Sequence, residues 1–123
     1  MSMSWKIELI PVPVTDYDRA KRFYEEQAGW HLDHDRQIGP GMRVIQFTPP
    51  GSACSIVLGM VDAEPGSSHG IHIVVPDIEE GCTELMKRGV DVSDVSHHGT
   101  IAYAYFSDPD GNSWTLQEIK PKG

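Results

Sequence analysis

The feature that most constrains this chain is an internal repeat with a period close to 60 residues. Each copy has three local signals in the same order. A strand ends where a helix begins, a glycine ends that helix, and a tight turn comes later. The repeat therefore predicts two modules with one plan: strand, helix, strand, strand, strand. Three local signals carry it at offsets of 60 or 61 residues: Val14-Thr15-Asp16 returns as Val75-Pro76-Asp77, Gly29 as Gly89, and Thr48-Pro49-Pro50-Gly51 as Asp108-Pro109-Asp110-Gly111.

Local signals place the elements within each module. Thr15 or Asp16 can cap the first helix, and Asp77 caps the second, with Glu80 in the capping-box position. Apolar periodicity and the turn residues between the apolar runs predict the strands. The strands are expected at 7–14, 30–38, 42–48 and 53–59 in the first module, and at 71–75, 90–95, 101–106 and 113–119 in the second.

The length sets the domain count. A chain of 123 residues has room for one domain with a real core but not for two independent ones. Pro65, Gly66, Ser67 and Ser68 mark the most linker-like segment. We therefore expect a single domain over 1–123, with module one over about 5–61, a linker over about 62–69 and module two over about 70–119.

Charge and composition exclude several classes of function. Ten Lys and Arg residues against eighteen Asp and Glu residues give a net charge of −8, whereas nucleic acids and anionic membranes require a basic face. No apolar run has the length of a membrane span, and the N-terminal residues lack a signal peptide. The two cysteines form no CxxC pair and are expected to be free thiols. A cytoplasmic protein without nucleic-acid or membrane partners is expected.

The repeat also implies a concave surface. One helix covers only one face of a four-stranded sheet, so the other face must lie against the second module, a second chain or a ligand. Two such sheets side by side form a trough, and small molecules bind in concave sites. The sequence therefore predicts a small-molecule ligand as the principal partner.

Three segments carry a family resemblance. They are Val-Thr-Asp-x-Asp-Arg-Ala-Lys-Arg-Phe-Tyr at 14–24, Gly29-Trp30, and Ser-Asp-Pro-Asp-Gly-Asn-Ser-Trp-Thr-Leu-Gln at 107–117. The chain resembles the vicinal oxygen chelate superfamily, which includes glyoxalase I, extradiol dioxygenases, fosfomycin-resistance enzymes and bleomycin-resistance proteins. The resemblance implies an α+β fold in which two tandem βαβββ modules form a cup-shaped mixed sheet.

The resemblance also implies where a metal would bind. Metal-dependent members place a His on the first strand of each module and a Glu on the last. The matching positions here are Leu9 and Gly70 on the first strands, Thr115 on the last strand of module two, and Ser55 or Val57 in module one. None of these side chains is a competent ligand for a divalent ion. We therefore expect no metal site and no cofactor.

We expect strand residues of both modules to line the trough. His72 shares strand parity with Gly70 and faces the trough, where it can contact a ligand or act as a general base. Arg43 and Gln46 point to opposite faces of one strand, so only one of them lines it. The expected ligand-binding residues are Leu9, Pro11, Trp30, Val57, His72, Tyr103, Tyr105, Thr115 and Gln117.

Other polar and aromatic residues are given local roles. Trp114 and Thr115 are adjacent in a strand and point to opposite faces, so we assign Trp114 to the core. Asp33 and Asp35 are interpreted as a solvated strand edge. Asp108 and Asp110 are interpreted as turn residues that are too exposed to form an acid–base pair.

These expectations favour binding over catalysis, with enzymatic activity left open. The leading hypothesis is a metal-free protein of the bleomycin-resistance type that sequesters an aromatic or antibiotic-like ligand, usually across a homodimer. The alternative is a glyoxalase-like lyase or isomerase that uses His72 as a base or a displaced metal site, for which His69 and His97 are further candidates. A third hypothesis is that the chain is a regulatory or scaffolding protein without a ligand.

Overall fold

The computed structural model describes residues 3–120, which form two four-stranded sheets and two helices. The first sheet has the strand order β1-β4-β3-β2 and the second β5-β8-β7-β6. The elements in chain order are β1 (Leu9–Val12), α1 (Tyr17–Arg22) with a π-helical turn (Phe23–Gln27) directly after it, β2 (His31–Gly39), β3 (Met42–Thr48), β4 (Ser55–Leu58), β5 (Ile71–Val74), α2 (Ile78–Lys87), β6 (Ser96–His98), β7 (Ile101–Ser107) and β8 (Ser113–Ile119).

Both sheets have the same pairing pattern. The first strand of each module pairs in parallel with the last, β1 with β4 and β5 with β8. The other neighbours in each sheet are antiparallel. The predicted α+β fold of two tandem βαβββ modules is confirmed. Within residues 3–120 no strand of one sheet pairs with a strand of the other.

Side-chain caps start both helices. Asp16 Oδ1 accepts from Arg19 N–H at 3.1 Å, and Asp77 Oδ1 accepts from Glu80 N–H at the same distance. Gly29, after the π-helical turn, has a φ of 75°, a backbone conformation that favours glycine. Neither helix in the described chain is long and apolar enough to cross a membrane.

The two modules share one hydrophobic core. The ring of Tyr24 lies between Phe47 of the first sheet and Trp114 of the second, with ring centroids 6.0 and 6.1 Å away. Trp30 packs edge-to-face on Trp114 at 5.1 Å. The inner face of each sheet therefore lies against the helices and the other module. The other face of each sheet, which we call its open face, consequently points outward, away from the second module.

A buried polar network also joins the modules. The Tyr24 hydroxyl donates to Asp108 Oδ2 at 2.7 Å and accepts from Trp114 Nε1–H at 3.1 Å. Asn112 Nδ2 donates to Asp108 Oδ2 and to the carbonyl oxygen of Pro13, both at 2.8 Å. Burial first, and then the Asp108 carboxylate, raise the pKa of Tyr24 far above its ordinary value. The hydroxyl therefore stays protonated as the donor.

The network corrects the interpretation of the second turn. Asp108 is buried, and its neighbour Asp110 accepts from Arg19 Nη2 at 3.1 Å and from Thr15 N–H at 3.2 Å. The expectation that these two carboxylates are exposed and purely local was wrong. The reason is that the turn docks on the start of α1, so its side chains reach residues more than 80 positions away.

The sixth strand lies elsewhere than expected. The segment 90–95 has no strand, and β6 is a three-residue edge strand, Ser96–His98, directly after it. Val90 is buried in the core after Gly89, while Asp91, Ser93 and Asp94 stay exposed. Aspartate and serine favour local backbone hydrogen bonds over a strand ladder, and this explains the displacement.

Candidate ligand-binding site

Strand alternation assigns each predicted trough residue to a face. On the first sheet Pro11 pairs with Val57, which pairs with Gln46, so these three side chains share the open face. On the second sheet His72 pairs with Thr115, which pairs with Tyr105. The open faces bear eight of the predicted residues: Leu9, Pro11, Val57, His72, Tyr103, Tyr105, Thr115 and Gln117.

Trp30 is the exception. It is only 8% exposed and packs between Tyr24 and Trp114 inside the shared core, away from both open faces. The expectation that it lines the trough has to be corrected, because the chain turns into the core directly after Gly29. Sequence alternation could not decide whether Arg43 or Gln46 lines the trough. In the structure Gln46 lies on the open face. Arg43 takes the inner face, where it contacts Asp18 and Asp35.

The open face of the second sheet is aromatic. The rings of His72 and Tyr103 meet edge-to-face with centroids 5.9 Å apart, and His98 lies 5.8 Å from the other side of Tyr103. Tyr105 is 51% exposed on the same face. Flat aromatic surfaces of this kind stack on planar ligands.

A side-chain hydrogen bond orients His72. Its Nδ1 lies 2.8 Å from Oε1 of Gln117, the neighbouring open-face residue on β8. Because an amide oxygen only accepts, Nδ1 is the donor in this hydrogen bond, which leaves Nε2 as the acceptor in the neutral ring. His72 thus presents a hydrogen-bond acceptor to a ligand.

The open face of the first sheet bears a polar chain that the sequence did not reveal. Ser55 Oγ lies 2.6 Å from Thr48 Oγ1, and Thr48 Oγ1 donates to Asp33 Oδ2. Gln46 Nε2 donates to the same carboxylate oxygen at 3.3 Å. Asp33 had been assigned to a solvated edge, because strand alternation alone gives no sign of the β-bulge that turns it toward Thr48.

A large cleft borders the open face of the second sheet at Tyr105. It measures about 480 Å³ and lies at the seam between the modules, next to Phe23, Val90 and Phe106. We place the candidate site on the open faces, which carry the polar chain of the first sheet and the aromatic side chains of the second.

The sequence matches a known family along most of its length. A profile of the Glyoxalase/Bleomycin resistance protein/Dioxygenase superfamily matches residues 6–116. The chain belongs to this superfamily. The predicted resemblance to the vicinal oxygen chelate proteins is thereby confirmed.

Individual proteins extend the similarity to almost the whole chain. The solved structure of TnmS3, an antibiotic binding protein from Streptomyces sp. CB03234, is 35% identical, with a TM-score of 0.86 over 98% of this chain and 99% of that one. A glyoxalase/bleomycin resistance protein from the same organism is 37% identical, with a TM-score of 0.79 over 90% of this chain and 98% of that one. The uncharacterized protein YetH of Bacillus subtilis is 27% identical over 92% of this chain and 98% of its own.

The strand pairing shows which residue of module one stands at the position equivalent to Thr115 in module two. Pro11 and His72 stand five residues before the helix caps Asp16 and Asp77. Pro11 pairs with Val57 and His72 with Thr115, so Val57 is the match. Ser55 lies two residue pairs closer to the turn, because the first loop is longer than the second.

The side chains at these positions do not fit a metal. Valine, leucine and glycine have no donor atom in the side chain, and the neutral hydroxyl of Thr115 is a weak ligand. No group of three or more His, Cys, Asp or Glu residues within residues 3–120 could hold an ion. His69, His72 and His97, the residues of the displaced-metal alternative, form no such group. His69 instead lies 2.7 Å from Ser113 Oγ, and His97 lies 3.9 Å from Glu79.

Proposed function

We propose that this protein is a metal-free small-molecule binding protein that sequesters an aromatic, antibiotic-like ligand in a trough formed by two copies of the chain. The carrying observation is the aromatic open face of the second sheet, where the ring of His72 on β5 meets that of Tyr103 on β7 across β8, and Tyr105 lies two residues further along β7. Stacking and hydrogen bonding on such a surface hold a planar polar ligand without any metal.

The orientation of the open faces supports a homodimer. The open faces of the two sheets of one chain point away from each other, so these two faces cannot enclose one ligand together. In a dimer, the first sheet of one copy would face the second sheet of its partner. The strands β1 and β5 are each hydrogen-bonded on one side only in the described chain, and edges of this kind are prone to further pairing.

The apolar segment before β1 also supports a second copy. Trp5 and Ile7, before β1, and Leu9, its first residue, are 84%, 72% and 42% exposed. Exposed apolar side chains in a row are typical of an interaction surface. We assign this segment to the dimer interface next to the trough.

The side chains at the metal positions support binding over metal-assisted chemistry. The superfamily frame is present, yet valine, leucine, glycine and threonine replace the histidines and glutamates that the family resemblance implies. The similarity to TnmS3, described as an antibiotic binding protein, points in the same direction.

A panel of neutral planar aromatic natural products tests the proposal by isothermal titration calorimetry. We expect at least one to bind with one site per chain, and Tyr105→Ala to weaken that binding about tenfold through loss of stacking. Met86→Ala, an exposed position on α2, serves as the control and leaves the affinity unchanged. If no compound binds, or if binding requires an added divalent ion, the proposal is wrong.

The orientation of His72 favours a second candidate, a lyase or isomerase in which the free Nε2 removes a proton from the bound compound. The same titrations separate the two functions when each bound compound is also followed by mass spectrometry. Conversion of a compound that stops with His72→Ala supports the enzyme. An unchanged compound that His72→Ala binds a few-fold more weakly supports sequestration.

A further inference from the structure

We propose that Asp33, together with Thr48 and Ser55, forms a subsite for a protonated amine on the ligand. This inference rests on the proposed binding function and adds the chemical class of one ligand group. It starts from a β-bulge in β2: Leu32 pairs with Phe47 and His34 pairs with Gln46, so Asp33 is the extra residue between them.

The bulge decides which face each carboxylate occupies. In a regular strand Asp33 and Asp35, two residues apart, would lie on the same face. The extra residue breaks this alternation, so Asp33 lies on the open face beside Thr48 and Gln46. Asp35 lies on the inner face, where it pairs with Arg43. One acidic side chain thereby lies on the open face, while the other forms ion pairs on the inner face.

The two carboxylates differ in their cationic partners. Asp35 accepts two hydrogen bonds from Arg43, each at 2.9 Å, and one from Lys21 at 2.8 Å. Among residues 3–120, no Lys or Arg lies within 4 Å of the Asp33 carboxylate. Its nearest basic group is His31 Nε2 at 3.7 Å, which is charged only when protonated. The Asp33 side chain is 19% exposed. A carboxylate that is partly desolvated and lacks a permanent cation favours a cationic ligand group.

The hydroxyl chain extends the acceptor surface across three strands. Thr48 donates its proton to Asp33, so its oxygen is free to accept from Ser55. Ser55 is itself buried, so it acts on a ligand group through Thr48. Each hydroxyl donates toward the carboxylate, and hydrogen bonds in such a chain polarise one another. An ammonium group, which has three donors and no acceptor, complements this arrangement.

Matched pairs of amines and amides test the subsite. The probes are 1-naphthylmethylamine and daunorubicin, each compared with its own N-acetyl derivative by isothermal titration calorimetry in 150 mM salt. We expect the amine to bind about tenfold or more tightly than the amide, as for a hydrogen bond to a charged group. Asp33→Asn should remove this preference, and Thr48→Val should reduce it, because the valine breaks the hydroxyl chain.

Asp62→Asn is the control variant. It removes one negative charge from an exposed linker position, far along the chain from the bulge, and should keep the preference of the unmodified protein. A preference that Asp33→Asn and Asp62→Asn reduce equally would reflect the net charge and would overturn the inference. Circular dichroism and thermal melting show whether Asp33→Asn is folded, and Thr48→Val gives the same comparison without a charge change.

The outcomes distinguish the subsite from the proposed function. If neutral aromatic compounds bind but each amine binds no better than its amide, the subsite is wrong and the proposed function stands. If neither amines nor neutral aromatic compounds bind, both are wrong. An amine preference that disappears with Asp33→Asn and survives Asp62→Asn supports both.

Discussion

Tyr24 is the residue at which the two halves of the chain meet. Its ring fills the space between Phe47 and Trp114, and its hydroxyl connects Asp108 with the indole of Trp114. A single side chain thus contributes both apolar packing and a buried polar bridge. Because Asp108 also accepts from Asn112, it keeps some of its partners when the Tyr24 hydroxyl is removed.

We predict that Tyr24→Phe lowers the free energy of unfolding by about 1–3 kcal/mol. The ring and its packing remain, but a buried carboxylate loses a donor and the Trp114 N–H loses its acceptor. Urea unfolding followed by circular dichroism measures the change. Tyr105→Phe is the matched control, since its exposed hydroxyl has no hydrogen-bond partner in the described chain, and a change within about 0.5 kcal/mol is expected there. Equal effects of the two variants would contradict a structural role for the Tyr24 hydroxyl.

At the scale of elements, short segments are held in place by specific side-chain contacts. The helix α2 has ten residues, a length at which a helix depends on its cap and on packing. Asp77 caps it, and Glu118 Oε1 accepts from Ile78 N–H at 2.9 Å. The last strand of the module therefore helps to satisfy the first turn of its helix.

We predict that Asp77→Ala destabilises the protein by about 1 kcal/mol, because the N–H of Glu80 loses its acceptor. Asp77→Asn keeps a side-chain oxygen at the same place and should lose much less stability. Thermal melting of the two variants side by side measures the difference. A loss as large for asparagine as for alanine would assign the effect to charge and not to capping.

Much of this element-level description could be predicted from the sequence. The repeat signals at Asp16 and Asp77, Gly29 and Gly89 gave the order of strands and helices, and parity gave the face of His72 and Trp114. The bulge at Asp33 could not be predicted, because an extra residue leaves no mark in a strand that is polar on both sides. Nor could the burial of Asp108, which depends on contacts between residues 84 positions apart.

At the scale of the whole molecule, the outward open faces determine how a trough can form. We predict a dimer in sedimentation velocity and a shift toward the monomer for Ile7→Asp, which places a charge in the apolar segment before β1. Met86→Asp adds the same charge at an exposed position on α2 and should leave the dimer intact. A monomer at micromolar concentration, or equal effects of both variants, would contradict the shared trough.

The outward orientation of the open faces has a consequence for mixed assemblies. If each trough takes one wall from each copy, a chain with an impaired first sheet and a chain with an impaired second sheet complement each other. In their heterodimer both defects fall in the same trough, and the other trough is assembled from two intact walls. Co-expression of two inactive alleles would then restore one of the two troughs in each heterodimer, a pattern that a site confined to one chain cannot produce.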